Sequence, residues 1–131
     1  MNRRAVLLAG LLALTPAAAL AAPPKKKSAG SGTTLIFPTL TSTILRPDGR
    51  RGVLTVEVVI DAPDEALRAR ADQSRPLLRD AWNTVLIREG AAMRPGAPPD
   101  VERLSRELQK ACDRVLGRAG ARVLLGSVIV N

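Results

Sequence analysis

The chain has 131 residues, enough for one domain with a modest core. Apolar residues make up 46% of it, with one Phe, one Trp and no Tyr, and Lys plus Arg number 20 against 12 Asp plus Glu, a formal charge of +8. It holds no His and one cysteine, Cys112, which excludes Ser-His-Asp and Cys-His nucleophilic machinery, most catalytic zinc sites and an intrachain disulfide.

A basic balance fits nucleic acid, a membrane surface or an acidic polymer. Single-strand binders combine basic grooves with stacking rings. This chain has almost no rings and no zinc-finger or RNP motif, so no nucleic-acid partner is expected.

Met1-Asn2-Arg3-Arg4 is a positive n-region and Ala5 to Leu14 an apolar h-region. Thr15-Pro16 breaks the run, and Ala19-Leu20-Ala21 presents small residues at the positions a signal peptidase reads. Residues 1–21 therefore read as a cleavable export signal, cut after Ala21, and the expected location is the periplasm. The alternative is an uncleaved inner-membrane anchor, since Ala5 to Ala22 is just long enough to span. Pro16 and the weakly apolar Ala tract argue against it, as do Lys25, Lys26 and Lys27 on the exported side. Arg3-Arg4 partly matches a twin-arginine signal and equally an ordinary n-region. Losing residues 1–21 removes Arg3 and Arg4 and no acid, leaving +6.

Residues 22–33 combine Pro-Pro, three Lys and a Gly/Ser run, and read as a tether. Lys25, Lys26 and Lys27 are candidates for peripheral contact with membrane or cell wall; plain solvation is the alternative.

The domain proper spans 34–131. Thr34 to Arg46 has strand composition, with Ile36, Leu40 and Ile44 on one parity and Pro38 marking an edge or bulge. Pro47-Asp48-Gly49-Arg50-Arg51-Gly52 is a turn. In Val53 to Asp61, Leu54, Val56, Val58 and Ile60 alternate with polar residues, so the two strands should form an antiparallel hairpin. Asp61 is the expected N-cap of a helical stretch from about Pro63 to Ile87, kinked or broken at Pro76 and carrying Leu67, Ala71, Leu78, Ala81, Trp82 and Val85 inward.

Glu89 to Pro99 reads as a loop. Asp100 caps a second long helix with Val101, Leu104, Leu108, Ala111 and Val115 on one face, ended by Gly117. Glu102 and Arg106 are spaced for an ion pair. Cys112 reads as structural, with a mixed disulfide to a partner as the alternative. Val123 to Val130 is apolar on both parities, Val123, Leu125 and Ile129 on one and Leu124, Val128 and Val130 on the other. A strand covered on both faces needs more than one layer of helices. Val123, Leu125 and Ile129 are therefore a candidate subunit interface, and a homo-oligomer is expected. The order β-β-α-α-β, with an antiparallel sheet and two long helices on one face, is α+β.

Laid out in this order, residues 35–131 resemble the flagellar basal-body-associated FliL family. The residues that carry the likeness are Phe37-Pro38, the basic turn Arg50-Arg51-Gly52 running into Val53 to Asp61, Pro76-Leu77-Leu78-Arg79-Asp80-Ala81, and Leu116-Gly117 before a terminal strand. The resemblance implies a stomatin/prohibitin-like fold that forms rings, and a periplasmic domain that assembles around flagellar stator units and supports motility. Typical members keep an uncleaved membrane helix, which this chain replaces with a removable signal.

Three functions follow. The first is a non-enzymatic flagellar accessory or scaffold partnered by the stator or basal body. The second is a general exported adaptor binding the envelope or another protein. The third, an enzyme using carboxylates such as Asp61, Asp64 or Asp80, is weakest, because each acid has a structural role to fill. No cofactor or metal is expected.

Overall fold

The computed structural model describes residues 32–131, and the export signal, most of the tether and Lys25–Lys27 lie outside them. Its centre is the alternating segment that reads most clearly as a strand, β3 (Arg51–Asp61). β1 (Thr34–Ile36) and β2 (Leu40–Leu45) both pair antiparallel along one side of β3, and β4 (Arg122–Val130) pairs antiparallel along the other. Three helices, α1 (Glu65–Gln73), α2 (Arg75–Ala92) and α3 (Val101–Leu116), pack against this four-stranded sheet. The class is α+β. The order gains one strand and one helix over the expected β-β-α-α-β, because the first strand and the first helix are each interrupted.

The strand breaks at Phe37-Pro38-Thr39. Four steps from Ile36 to Leu40 oppose three steps from Val59 to Val56, so one extra residue is inserted. Proline removes a ladder donor at that point. The insertion reverses the parity: Leu40 and Ile44 are buried while Ile36, expected beside them, is 56% exposed on the opposite face. A second one-residue bulge lies in β4, where Val58 pairs with Leu125 but Val56 pairs with Val128.

The first helix divides at Ser74. Its amide donates back to the carbonyls of Arg70 and Ala71, and its own carbonyl accepts from Leu78. Pro76 then falls in the first turn of α2, where amides have no intrahelical partner in any case. The N-cap of α1 is Asp64, whose carboxylate accepts from the Leu67 amide at 3.1 Å, and not Asp61. Asp61 instead ends β3 and accepts from the Thr33 hydroxyl at 2.7 Å, while the Thr33 carbonyl takes the Ala62 amide, so the tether is already fastened at Thr33.

α2 continues to Ala92, beyond the expected loop start at Glu89. Gly90 is a packing position there: a Cβ would lie 3.1 Å from Ser42 Oγ and 3.3 Å from Ile44 Cγ2, so glycine lets α2 settle on β2 without displacing them. α3 is capped by Asp100 as expected, and Gly117 closes it with φ of 76° and its amide on the Asp113 carbonyl. Val101 lies too near the start of α3 to reach the core and is exposed.

The core lies between the helices and the sheet face carrying Leu40, Leu54, Val56, Val58 and Ile60. Trp82 fills its centre with no exposed surface. Its indole Nε1 donates to the Leu108 carbonyl at 3.1 Å, and the Phe37 ring meets it edge-on at 4.8 Å. Trp82→Ala should therefore cost about 3–5 kcal/mol in urea unfolding, with Trp82→Phe losing less because part of the ring volume is kept. An unchanged unfolding midpoint for Trp82→Ala would show that the indole is not the centre of the core.

Candidate interaction surfaces

The sheet has one face under the helices and one open. Main-chain pairing places Ile36, Val59 and Leu124 side by side across β1, β3 and β4, and Thr41, Thr55 and Ile129 in a second row. Val53 and Leu45 extend the surface toward the β2–β3 turn. Leu124 is 41% exposed, Ile129 47%, and Leu45 and Val53 are similarly open. Isolated exposed apolar side chains are ordinary, whereas here two groups share one sheet face, with Glu57 between them, which makes the face a candidate contact surface.

The three predicted interface residues do not share that face. Val123 is buried against the helices and Leu125 packs half-buried beside it, so only Ile129 is on the open side. The β4 bulge is the reason: it moves Val128 and Val130 to the helix side with Val123 and Leu125, and Ile129 to the open side with Leu124. Reasoning by parity missed Leu124, Ile36, Val53 and Leu45. The available signal was Gly126, a glycine inside a strand, which marks a bulge.

The start of β4 is held by Gln109 of α3. Its amide nitrogen donates to the Ala121 carbonyl at 2.7 Å and to Asp113 Oδ1 at 2.9 Å, while its Oε1 accepts from the Val123 amide at 2.8 Å. One side chain thus satisfies two main-chain groups beside the sheet edge. On the opposite edge, Arg75 lies over the Phe37 ring at 4.7 Å and donates to the Ile36 carbonyl at 2.7 Å. Beside it a shallow cleft of about 470 Å³ is lined by Phe37, Arg75, Arg79, Asp80 and Asn83. Arg79 and Asp80, which carry part of the family resemblance, are therefore exposed at this cleft.

The carboxylates considered for catalysis take separate places: Asp61 at the end of β3, Asp64 at the α1 cap, and Asp80 on the outside of α2. The expected Glu102–Arg106 pair is replaced by bridges between α2 and α3, with Arg88 on Glu107 at 2.9 Å and Arg103 on Glu89 at 3.0 Å. Both arginines are more than half exposed, so solvent screens these bridges and weakens them. Charge is also unevenly divided along the chain. Five of the twenty basic residues, Arg3, Arg4 and Lys25–Lys27, precede residue 32 and no acid does, so residues 32–131 carry fifteen basic side chains against twelve acidic ones. Among these described residues no helix is long and apolar enough to cross a membrane. Neither family models nor curated proteins compared with the chain match it.

Two titrations follow from this geometry. The Leu67 amide, and then the Arg118 guanidinium, hold Asp64 below its ordinary value of 3.8. Its stabilising effect is present above that ordinary value and lost as pH falls through the lower folded one. Asp64→Asn keeps a capping side chain but removes the charge, so its urea midpoint should vary less with pH across the acidic range than the parent's. Equal pH dependence would exclude the contribution. Cys112 has no exposed surface, and burial, with Asp113 adding to it, pushes its thiol up to about 12. It is a packing residue and not a docking thiol. A thiol reagent at mildly alkaline pH should label it only as fast as the chain unfolds; rapid labelling of the folded protein would contradict this.

Proposed function

We propose that this protein is a non-enzymatic, exported accessory or scaffold that works through protein contacts, and that it supports the flagellar stator as its resemblance to the FliL family implies. The observation that carries the scaffold reading is the open sheet face of Ile36, Val53, Val59, Leu124 and Ile129. These apolar side chains share the face with Thr41, Thr43, Thr55 and Glu57, a mixture suited to contact with another protein surface. The exposed Arg79 and Asp80 of α2, together with the turn before β3 and the terminal strand, support the family part of the reading. In it the sheet and helices form a stomatin/prohibitin-like unit, assembled from copies of itself in the periplasm and recruited to the basal body after cleavage at Ala21.

A second reading is favoured by the charge distribution. With Lys25–Lys27 supplying half of the +6 left after cleavage, the tether can hold the domain at an anionic envelope surface, and the domain then acts as a general adaptor. Deleting the gene separates the two. The flagellar reading expects smaller swimming zones in soft agar and lower motor speed under viscous load, restored by the intact gene. Wild-type swimming and wild-type speed under load would sink it, and salt-sensitive binding to anionic vesicles, lost on replacing Lys25–Lys27, would support the adaptor.

A further inference from the structure

We infer that β4 is a self-pairing edge, and that two copies of this chain join antiparallel through β4 about a two-fold axis at Gly126-Ser127. This develops the assembly part of the proposed function and is independent of its flagellar part.

The inference starts from which main-chain groups of β4 are outward. The Val123 amide goes to Gln109 and so points away from β3. Past the bulge, Asn131 exchanges both hydrogen bonds with Val53, at 2.9 and 3.0 Å, and so points toward β3. Main-chain direction alternates along a strand. Val123 and Leu125 before the bulge, and Val128 and Val130 after it, therefore turn their amides and carbonyls to the open edge. Without the bulge, outward groups would keep one parity along the whole strand. With it they are arranged symmetrically about Gly126-Ser127.

That symmetry makes the edge complementary to itself. Running a second β4 antiparallel about the Gly126-Ser127 centre sets Leu125 opposite Val128, Leu124 opposite Ile129, Val123 opposite Val130 and Arg122 opposite Asn131. Every pair from Val123 to Val130 outside the centre is apolar, no charged side chain of β4 meets a like charge, and side chains of one face meet the same face of the other copy, while the Glu57 carboxylate of each copy lies beside Gly126 near the axis. The two Leu125–Val128 pairs add about four main-chain hydrogen bonds, while Val123 remains on Gln109. The same segment is under-covered on both faces: Val130 is 40% exposed on the helix side, and Leu124 and Ile129 are exposed on the open side.

Gln109 of α3 covers the outward groups of Ala121 and Val123 at the start of β4, and beyond Val123 the two sheet edges are treated differently. On the β1–β2 edge, Pro38 offers no donor, Arg75 occupies the Ile36 carbonyl and α2 closes onto β2 at Gly90. These are the devices that keep an edge from pairing. From Val123 to Val130, β4 has no proline and no charged residue.

Disulfide trapping tests the register. Leu124 and Ile129 would form a non-hydrogen-bonded pair across the axis, where Cα atoms approach to about 4.5 Å, within disulfide range. Both side chains are exposed, so Leu124→Cys and Ile129→Cys leave the core intact, and buried Cys112 does not compete. Mild oxidation of the two exported variants mixed should give a covalent dimer, whereas each alone, or Leu124→Cys mixed with Thr43→Cys, should not. Sedimentation of the parent should show a dimer, weakened about tenfold or more by Ile129→Lys with the folded circular dichroism spectrum retained. A monomeric parent, a dimer untouched by Ile129→Lys, or cross-linking that is equal in every mixture would overturn the inference.

Discussion

The contact on which the architecture depends is the burial of Trp82 between an edge strand and a helix. In an otherwise aliphatic core it is the largest buried side chain, and its one polar atom is satisfied by a carbonyl of α3. Phe37 meets it from the β1–β2 bulge, and Arg75 covers Phe37 from outside, so a continuous stack runs from solvent to the third helix. This explains why the interruption at Phe37-Pro38-Thr39 is a fixed feature. The bulge turns the only Phe inward, and Arg75 then reaches the Ile36 carbonyl that the interruption leaves outward. Packing and edge protection are achieved by the same residues.

Two single-residue insertions, one on each side of β3, decide which side chains meet the core. The first moves Ile36 to the open face. The second moves Ile129 there and returns Val128 and Val130 to the helices. A one-residue slip exchanges the faces of a strand, so a bulge makes an apolar run two-sided without changing composition. The apolarity of β4 on both parities is divided in this way: before the bulge the odd positions turn to the helices, and after it the even ones do. The open face that results is the surface offered to a partner.

The helices show how local rules and tertiary contact divide the work. Pro76 acts through its missing amide, but the helix divides two residues earlier, at Ser74, so that the proline sits where no amide is required. Gly90 would by propensity end a helix. It is retained inside α2 because its lack of a side chain lets the helix approach Ser42 and Ile44.

Much of this protein is legible in its sequence. The alternation of Leu54, Val56, Val58 and Ile60, the turn at Pro47-Asp48-Gly49, the Asp100 cap, the Gly117 stop and the inward stripes of α2 and α3 each follow from local chemistry, because neighbours along the chain suffice to specify them. The α+β class follows from their order. What needed tertiary structure is whatever depends on the partner strand or helix. The bulges are defined by counting residues on two strands at once, so the open face of Leu124 and Ile129 could not be separated from the buried one of Val123 and Leu125. The grip of Gln109 on β4 joins residues from a helix and a strand that nothing local connects. The sequence determined which segments are apolar and in what order they follow, because neighbours along the chain set that; only the packed sheet decided which side of β4 faces the core and which is left to meet another surface.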